Sequence, residues 1–403
     1  MKILVINAGS SSLKYQLIDM NGENVIAKGI CERVGMADGH FEGKVNGEKF
    51  EYNIQMKNHT EAFLVVKDAL TTGDHKVIDS LDEISAIGHR VVQGGSIFKE
   101  STLITDEVIS GIESLCDLAP LHNPAHIQGI NACREVFGKD VPEVAVFDNA
   151  FHSTMPPEAY MFGIPYEYYE KYHIRRYGFH GTSHRYVSAE CARIMGKDIS
   201  ELKIITCHLG NGSSIAAVDC GKVVDTSMGF TPLDGLIMGT RSGNLDPSIV
   251  LFLQEKEGWT PEETDTILNK KSGVYGISGG IIDNRDLLKA ADEGNERAEL
   301  AIDMMYYEIR KYIGSYIAAM HGVDAIVFTG GIGENAQPLR QNICENFEYI
   351  GVAFDYEENK VAIKGKGGEL STPDSKVKVY VIPTNEELMI ARDTKEIAEK
   401  VLG

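Results

Sequence analysis

The stretch KILVINAGSSSLKYQLID, residues 2–19, decides the fold class. An apolar run ends at a turn rich in Gly and Ser, and the segment from Leu13 to Ile18 then alternates apolar and polar residues. Alternation with a period of two is typical of a half-buried strand, and small residues mark a tight turn. The pattern therefore predicts a strand, a turn and a second strand.

The same pattern returns in LKIITCHLGNGSSIAAVD, residues 202–219. Each copy runs into a second turn, Asn21-Gly22 in the first and Cys220-Gly221 in the second, and then into another apolar strand. The repetition predicts two lobes that open with the same device.

Apolar runs and helical patterns alternate along the rest of the chain. The predicted strands lie at residues 84–92, 144–147, 325–329 and 377–382. The predicted helices lie at residues 105–118, at 296–320 and from about 385 to the end. Strands alternating with helices indicate an α/β protein.

Bulk composition limits the function classes. A chain of 403 residues is long enough for two domains. A formal net charge of −20 argues against nucleic acid or an anionic membrane as the main partner. No apolar run approaches the ~18 residues of a transmembrane helix. The seven cysteines form no CxxC pair, which favours reduced thiols and a cytoplasmic location.

Four segments rich in Gly and small residues could hold phosphate through backbone N–H groups. They are residues 7–12, 208–214, 239–243 and 330–333. The Walker A pattern is absent, but Lys14 follows the first turn closely and could reach back to a phosphate. Several loops of this kind in one chain favour a nucleotide site over ordinary turns.

The last of these loops has a rival interpretation. Residues 331–336, GIGENA, fit the G-x-G-x-x-A pattern of dinucleotide-binding proteins, and Asp355 follows at a suitable spacing. This dehydrogenase hypothesis explains none of the other three loops.

Cationic and polar side chains recur beside Gly or Pro. Arg90 follows Gly88-His89, His122 lies in APLHNP, His180 precedes Gly181, and Arg241 lies in MGTRSG. A single residue of this kind is usually structural, but their recurrence near strand ends favours the binding of anions.

The chain resembles the acetate kinase family. The segments that carry the resemblance span nearly the whole chain in order: VINAGSSSLKY, GHRVV, APLHNP, VFDNAFH, RYGFHGTSH, HLGNGSS, FTPLDGLIMGTRSGNLDP, FTGGIGEN and PTNEEL. The first segment and MGTRSG are the most specific. The chain departs from the usual family wording at Gln93, Asn244, Ile281, Ile282 and Asn284.

The resemblance implies the duplicated two-lobed fold of actin-like ATPases and sugar kinases, with ribonuclease H-like lobes around a central nucleotide cleft. It places an N-terminal lobe at residues 1–149, joined by a C-terminal helix at about 385–403, and a nucleotide-binding lobe at residues 150–384. It also implies a homodimer, ATP or ADP as co-substrate, and Mg²⁺, for which Mn²⁺ can substitute.

The resemblance also implies residue roles. Asn7 and Glu386 would hold the metal, and Asp148, His180 and Arg241 would form the catalytic centre. The acetate site would comprise Arg90, Val92, Leu121, His122, Phe179 and Pro232. The phosphates would be lined by Lys14, His208, Leu209, Gly210, Asn211 and Gly212. Adenosine would be held by Asp283, Asn284, Arg285, Gly331, Ile332, Gly333, Glu334 and Asn335.

These roles are consistent with the chemistry. The pKa of acetate is about 4–5, so it is an anionic nucleophile at neutral pH and needs no general base. We therefore expect Asp148 to orient Arg241 or a metal-bound water instead of moving a proton. The alternatives are a kinase for propionate or butyrate, and a non-metabolic actin-like ATPase that acts as a scaffold or polymer.

Overall fold

The computed structural model describes residues 1–403, which form two compact units. Unit 1 comprises residues 1–150 and 385–403, and unit 2 comprises residues 151–384. None of the helices has the length and apolar character needed to cross a membrane. None of the seven cysteines is in a disulfide.

Unit 1 is built on an eight-stranded sheet with the order β5-β4-β3-β2-β1-β6-β8-β7. Its strands are β1 Lys2–Ala8, β2 Ser12–Asp19, β3 Asn24–Glu32, β4 His40–Val45, β5 Glu48–Asn53, β6 Ile84–Val91, β7 Thr102–Leu103 and β8 Glu143–Phe147. Its helices are α1 His59–Thr71, α2 Asp106–Glu113, α3 Asn123–Phe137 and, from the end of the chain, α15 Glu386–Leu402.

Unit 2 is built on a six-stranded sheet with the order β11-β10-β9-β12-β14-β13. Its strands are β9 Lys203–Leu209, β10 Ser213–Asp219, β11 Lys222–Thr226, β12 Ala325–Thr329, β13 Gly368–Glu369 and β14 Lys378–Val381. Its helices are α4 Pro157–Tyr160, α5 Glu167–Tyr172, α6 Gly181–Met195, α7 Pro247–Glu257, α8 Pro261–Lys270, α9 Gly273–Ser278, α10 Asn284–Asp292, α11 Glu296–Ala319, α12 Gly330–Asn335, α13 Gln337–Glu345 and α14 Tyr356–Val361.

The two sheets share one topology, which confirms the repetition predicted from the sequence. In each sheet the first strand pairs antiparallel with the second and parallel with a later strand: β1 with β2 and β6, and β9 with β10 and β12. The order β3-β2-β1-β6-β8-β7 in unit 1 matches β11-β10-β9-β12-β14-β13 in unit 2. The hairpin β4-β5 is the addition that makes the first sheet larger.

Both faces of each sheet are covered by helices. In unit 1, Leu4, Leu13 and Leu17 pack with Phe63 of α1 in one core. The other face lies under α15, which approaches so closely at Gly88 that an added Cβ would lie 2.3 Å from Thr394 Oγ1. In unit 2, buried residues of α11 form one core and buried residues of α6 pack on the opposite face of the sheet.

One predicted helix was too long, and three other predicted elements agree with the structure to within one residue at each boundary that was predicted. The helix expected at residues 105–118 ends at Glu113, because the chain then tightens into i→i+3 bonds such as Cys116 N–H to Glu113 O. The strand expected at 377–382 spans Lys378–Val381, and the final helix begins at Glu386 behind an Asn385 cap. The long helix expected at 296–320 spans Glu296–Ala319, which is within one residue.

Candidate functional site

Arg90 and Asp148 form the electrostatic centre of unit 1. Both lie where parallel strands end: Arg90 near the end of β6 and Asp148 directly after β8. Arg90 Nη2 donates to Asp148 Oδ2 at 2.7 Å, and Nε donates to Oδ1 at 3.3 Å. Asp148 is buried. Within unit 1, the carboxylate that we expect to orient Arg241 or a metal-bound water contacts Arg90.

A cavity of about 390 Å³ lies beside this pair and is lined by Asn7, Lys14, Arg90 and Glu386. Asn7 and Lys14 are direct partners across β1 and β2, and Glu386 is the first residue of α15. The sequence separates Asn7 from Glu386 by most of the chain, yet unit 1 brings both to one cavity. Sequence reasoning missed three lysines on its wall, Lys28, Lys44 and Lys49.

Glu386 lies in an environment that disfavours its negative charge. Burial, followed by repulsion from Asp148, raises its pKa to about 7 despite the opposing charge of Arg90. For Arg90, burial lowers the pKa but the charges of Asp148 and Glu386 outweigh it, so the pKa is raised. A carboxylate and an amide oxygen around one cavity are ligands that suit a hard divalent cation, so the residues fit the expected metal.

The other residues predicted for unit 1 lie outside this cavity. Val92 is buried just beyond β6, whereas Leu121 and His122 lie in the exposed turn before α3. Gln93 is buried, accepts the Gly95 N–H at 2.9 Å through Oε1 and leaves its Nε2 without a partner.

In unit 2, His180 and Arg241 both lie against the turn between β9 and β10. A Cβ built on Gly212 would be 3.3 Å from Arg241 Nη1 and 3.6 Å from His180 Nε2. The turn itself is fixed by a Gly239 N–H donated to Asn211 O at 3.1 Å. Glycine at position 212 therefore lets both side chains lie close to the backbone of this turn.

Arg241 is a half-buried cation without a carboxylate partner. Its Nη1 donates to Pro232 O at 3.3 Å and contacts Met238 Sδ at 3.7 Å, while Nε and Nη2 have no acceptor in the protein. Burial lowers the pKa of its guanidinium below the usual value. A guanidinium placed in this way is poised to bind an anion.

His180 is held from several sides. Its φ of 58° puts it in the left-handed region directly before α6, and its ring stacks on His208 with centroids 4.2 Å apart. Its Nδ1 is 2.8 Å from Ser214 Oγ. Sequence reasoning placed Ser214 only within the phosphate loop 208–214 and assigned no role to His184, which follows His180 by four residues.

A second cavity, of about 900 Å³, collects most of the residues predicted for adenosine. Its walls include Gly210, Asn211, residues 283–285, Gly331, Ile332 and Asn335. Sequence reasoning missed the apolar part of the wall, which includes Met238 and Leu288, and also Lys364. An apolar wall with a few polar groups is typical of a cofactor site.

Several predicted residues of unit 2 do not line this cavity. His208 Nδ1 is 2.7 Å from Ser183 Oγ. The Glu334 carboxylate turns inward and accepts the backbone N–H groups of Gly330 at 3.1 Å and Thr384 at 3.2 Å. Leu209, Gly212 and Gly333 likewise lie outside its wall, as do Phe179, which is buried, and Pro232, which is half-buried.

The dinucleotide interpretation of residues 331–336 is wrong. Asp355, which would have to reach a ribose, caps α14 by accepting the N–H groups of Glu357 and Glu358, each at 3.0 Å. Its carboxylate is therefore committed to its own helix.

Comparisons with known proteins agree with one another. The family model described as the acetokinase family matches residues 2–392. An acetate kinase from Thermotoga petrophila is 58% identical over 402 residues, which cover 100% of both chains. The crystal structure of an acetate kinase from Porphyromonas gingivalis matches with a TM-score of 0.95 at 46% identity, covering 98% of this chain and 99% of that one. A propionate kinase from Francisella tularensis matches with a TM-score of 0.90 at 42% identity and the same coverage.

Proposed function

Because the chain belongs to the acetokinase family, we propose that it transfers the γ-phosphoryl group of ATP to acetate, giving acetyl phosphate and ADP, and catalyses the reverse reaction. The observation that carries this proposal is 58% identity to an acetate kinase over the full length of both chains. In the forward direction an acetate oxygen forms the new bond to phosphorus while the bond to the β-phosphate oxygen breaks.

The residues of unit 2 would stabilise the group in transfer. Charge spreads over three phosphoryl oxygens between the attacking and leaving oxygens, so catalysis depends on positioned donors. Arg241 offers a guanidinium without a carboxylate partner, and His180 offers a ring nitrogen directed at the same glycine turn. The absence of a side chain at Gly212 lets both groups lie close to the backbone of this turn.

The residues of unit 1 would hold acetate. Asp148 occupies Nε and Nη2 of Arg90, which leaves Nη1 for a substrate carboxylate. Asp148 thereby fixes the plane of the guanidinium and keeps it oriented. This role requires no proton transfer, which agrees with acetate being ionised at neutral pH.

Asn7 and Glu386 would hold Mg²⁺ or Mn²⁺. A bound cation would counter the repulsion between Glu386 and Asp148 that raises the pKa of Glu386. When bound, the ion would supply positive charge that neutralises phosphate oxygens. The larger cavity of unit 2 would hold the nucleoside, with the adenine against its apolar wall.

Propionate is the second candidate substrate, because a propionate kinase matches the fold at 42% identity. Arg90 binds any carboxylate, so chain length must be selected by apolar neighbours. Val92 is buried and β-branched, which makes it a stiff boundary that favours acetate.

Helix α7 would form a homodimer interface. None of its residues is buried, although Ile249, Leu251 and Phe252 are apolar and at least 44% exposed. An amphipathic helix normally buries such residues, and a second copy of the chain would cover them. Sedimentation should report a dimer for the wild type and a monomer for Leu251→Glu, with Lys256→Glu on the same helix as the control. A monomeric wild type would exclude the dimer.

Hydroxylamine trapping of acyl phosphate tests the function directly. Acetate, propionate and butyrate are compared in parallel with ATP and Mg²⁺. We expect the highest kcat/KM with acetate, a lower value with propionate and the lowest with butyrate. No trapped product with any of the three acids would overturn the kinase proposal, and a preference for propionate would assign the chain to the second candidate.

A further inference from the structure

A line of hydrogen bonds runs from the core of unit 2 to His180. Thr206 Oγ1 lies 2.7 Å from His184 Nδ1, and His184 Nε2 lies 2.8 Å from Ser214 Oγ. Ser214 Oγ in turn lies 2.8 Å from His180 Nδ1. Thr206, His184 and Ser214 are fully buried, so water cannot replace any of these partners.

The protonation state of His184 restricts how this line can be oriented. Burial lowers the pKa of His184 well below its usual 6.5, and neighbouring His152 and His208 act in the same direction. His184 is therefore neutral, with one nitrogen that donates and one that accepts. Two orientations remain, which differ in whether Nδ1 or Nε2 carries the proton.

Counting donors distinguishes the two orientations. The hydroxyl of Thr206 has no partner in the protein other than His184 Nδ1. If Nδ1 donated, the hydroxyl proton of Thr206 would be buried without an acceptor, an arrangement that native proteins avoid. Thr206 therefore donates to Nδ1, and His184 donates from Nε2 to Ser214.

The orientation of the Ser214 hydroxyl then determines which nitrogen of His180 carries the proton. The oxygen of Ser214 accepts from His184, so its single hydroxyl proton points to His180 Nδ1. An accepting Nδ1 leaves the proton of a neutral ring on Nε2, the atom near Gly212. With a protonated Nδ1 on His180, either the Ser214 proton would be buried without an acceptor, or the bonds to His184 and Thr206 would have to reverse as well and leave the Thr206 proton without one.

We propose that Thr206, His184 and Ser214 are positioning residues that hold His180 as the neutral Nε2–H tautomer, with this N–H directed at the phosphoryl group in transfer. The claim that this N–H points at the phosphoryl group rests on the proposed function, whereas the assignment of the tautomer does not. His180 then acts as a neutral hydrogen-bond donor, and Arg241 supplies the positive charge.

The spectroscopic test uses the full-length chain labelled with ¹⁵N in histidine. Long-range ¹H–¹⁵N correlation spectra distinguish Nε2–H, Nδ1–H and doubly protonated rings, and His180→Gln assigns the signals. We expect the Nε2–H pattern in the wild type at neutral pH. An Nδ1–H or doubly protonated His180 would overturn the proposal, whether or not the chain makes acetyl phosphate.

Two variants of Thr206 test whether this line of hydrogen bonds affects His180, which Thr206 does not contact. Thr206→Val keeps the shape but removes the hydroxyl, and Thr206→Ser keeps the hydroxyl. We expect Thr206→Val to shift the His180 signals and to lower kcat at least about tenfold with little change in KM for ATP, as for other groups that orient a catalytic histidine. Thr206→Ser should keep both properties near wild type.

Ser214→Ala should act in the same way and more strongly, since it contacts His180 directly. If Thr206→Val and Ser214→Ala both left the tautomer and kcat unchanged, the proposal would be wrong. If the tautomer behaved as expected but the wild type made no acyl phosphate, the hydrogen-bond line would stand and the proposed function would fall.

Discussion

The turn between β1 and β2 and the turn between β9 and β10 occupy the same place in two sheets of the same topology, yet they carry different chemistry. In the first, the Gly9 N–H is donated to Ser12 O at 2.8 Å, and His59 Nε2 is 2.7 Å from Gly9 O. In the second, side chains from distant segments, His180 and Arg241, lie against Gly212. The two turns therefore share a backbone arrangement but are surrounded by different side chains.

The helices beside these turns show the same divergence. Helix α15 begins with Glu386, an acidic residue next to the cavity of unit 1. Helix α6 begins directly after His180, which is linked to neutral hydroxyl and imidazole groups. Corresponding helix starts therefore present a carboxylate in one unit and a hydrogen-bond donor in the other, which suits a cation and an anion respectively.

Removing the cation of the second turn should have the largest effect. We expect Arg241→Ala to lower kcat by about 10²–10³ with a small change in KM for ATP, because the lost contact acts on charge that develops in transit. His180→Ala should behave similarly. Steady-state kinetics measure both, with exposed Arg193→Ala as the control. A wild-type kcat with a greatly raised KM would place these residues in ground-state binding instead.

Removing the carboxylate beside the first turn should change the metal requirement. We expect Glu386→Ala to raise the Mg²⁺ concentration needed for half-maximal rate at least about tenfold. Loss of a metal ligand should weaken metal binding at least as much as loss of a residue that supports a ligand. Measuring the rate at increasing concentrations of Mg²⁺ or Mn²⁺ tests this prediction, and Glu399→Ala on the same helix serves as the control. An unchanged metal dependence would show that the ligand lies elsewhere.

Adding one methyl group to the second turn should sharpen the comparison. In Gly212→Ala the new Cβ would lie 3.3 Å from Arg241 Nη1 and would displace the guanidinium slightly. Since small misplacements are costly in catalysis, we expect kcat to fall on the order of tenfold. Gly314→Ala in α11, where an added Cβ meets nothing within 4 Å, is the control. Equal kcat in the two variants would mean that the contact is unimportant.

The smallest effect should be on acyl selectivity. We expect Val92→Ala to improve the ratio of propionate to acetate kcat/KM by about fourfold, which corresponds to the ~0.8 kcal/mol of one buried methylene. The hydroxylamine assay measures the ratio, and Val136→Ala controls for general loosening of unit 1. If the ratio does not move, Val92 does not bound the substrate.

Local sequence patterns determined much of the fold. Alternating apolar and polar residues, together with small residues, located both strand–turn–strand copies. Successive side chains of a strand point to opposite faces of the sheet, and a tight turn needs small residues, so both signals are local in the sequence. The helix expected at 105–118 was too long because the tightening after Glu113 depends on packing and not on periodicity.

The sequence by itself also identified the residue types that suit phosphate and carboxylate chemistry, and the resemblance suggested their roles. Only the tertiary structure decided which side chains meet. Asp148 binds Arg90, 58 residues away, and Ser214 lies between His180 and His184, 34 and 30 residues away. These partners come from different strands and helices, so no pattern along the chain encodes their distance. Hydrogen bonding requires approach within ~3 Å, and only the packed sheets and helices provide it.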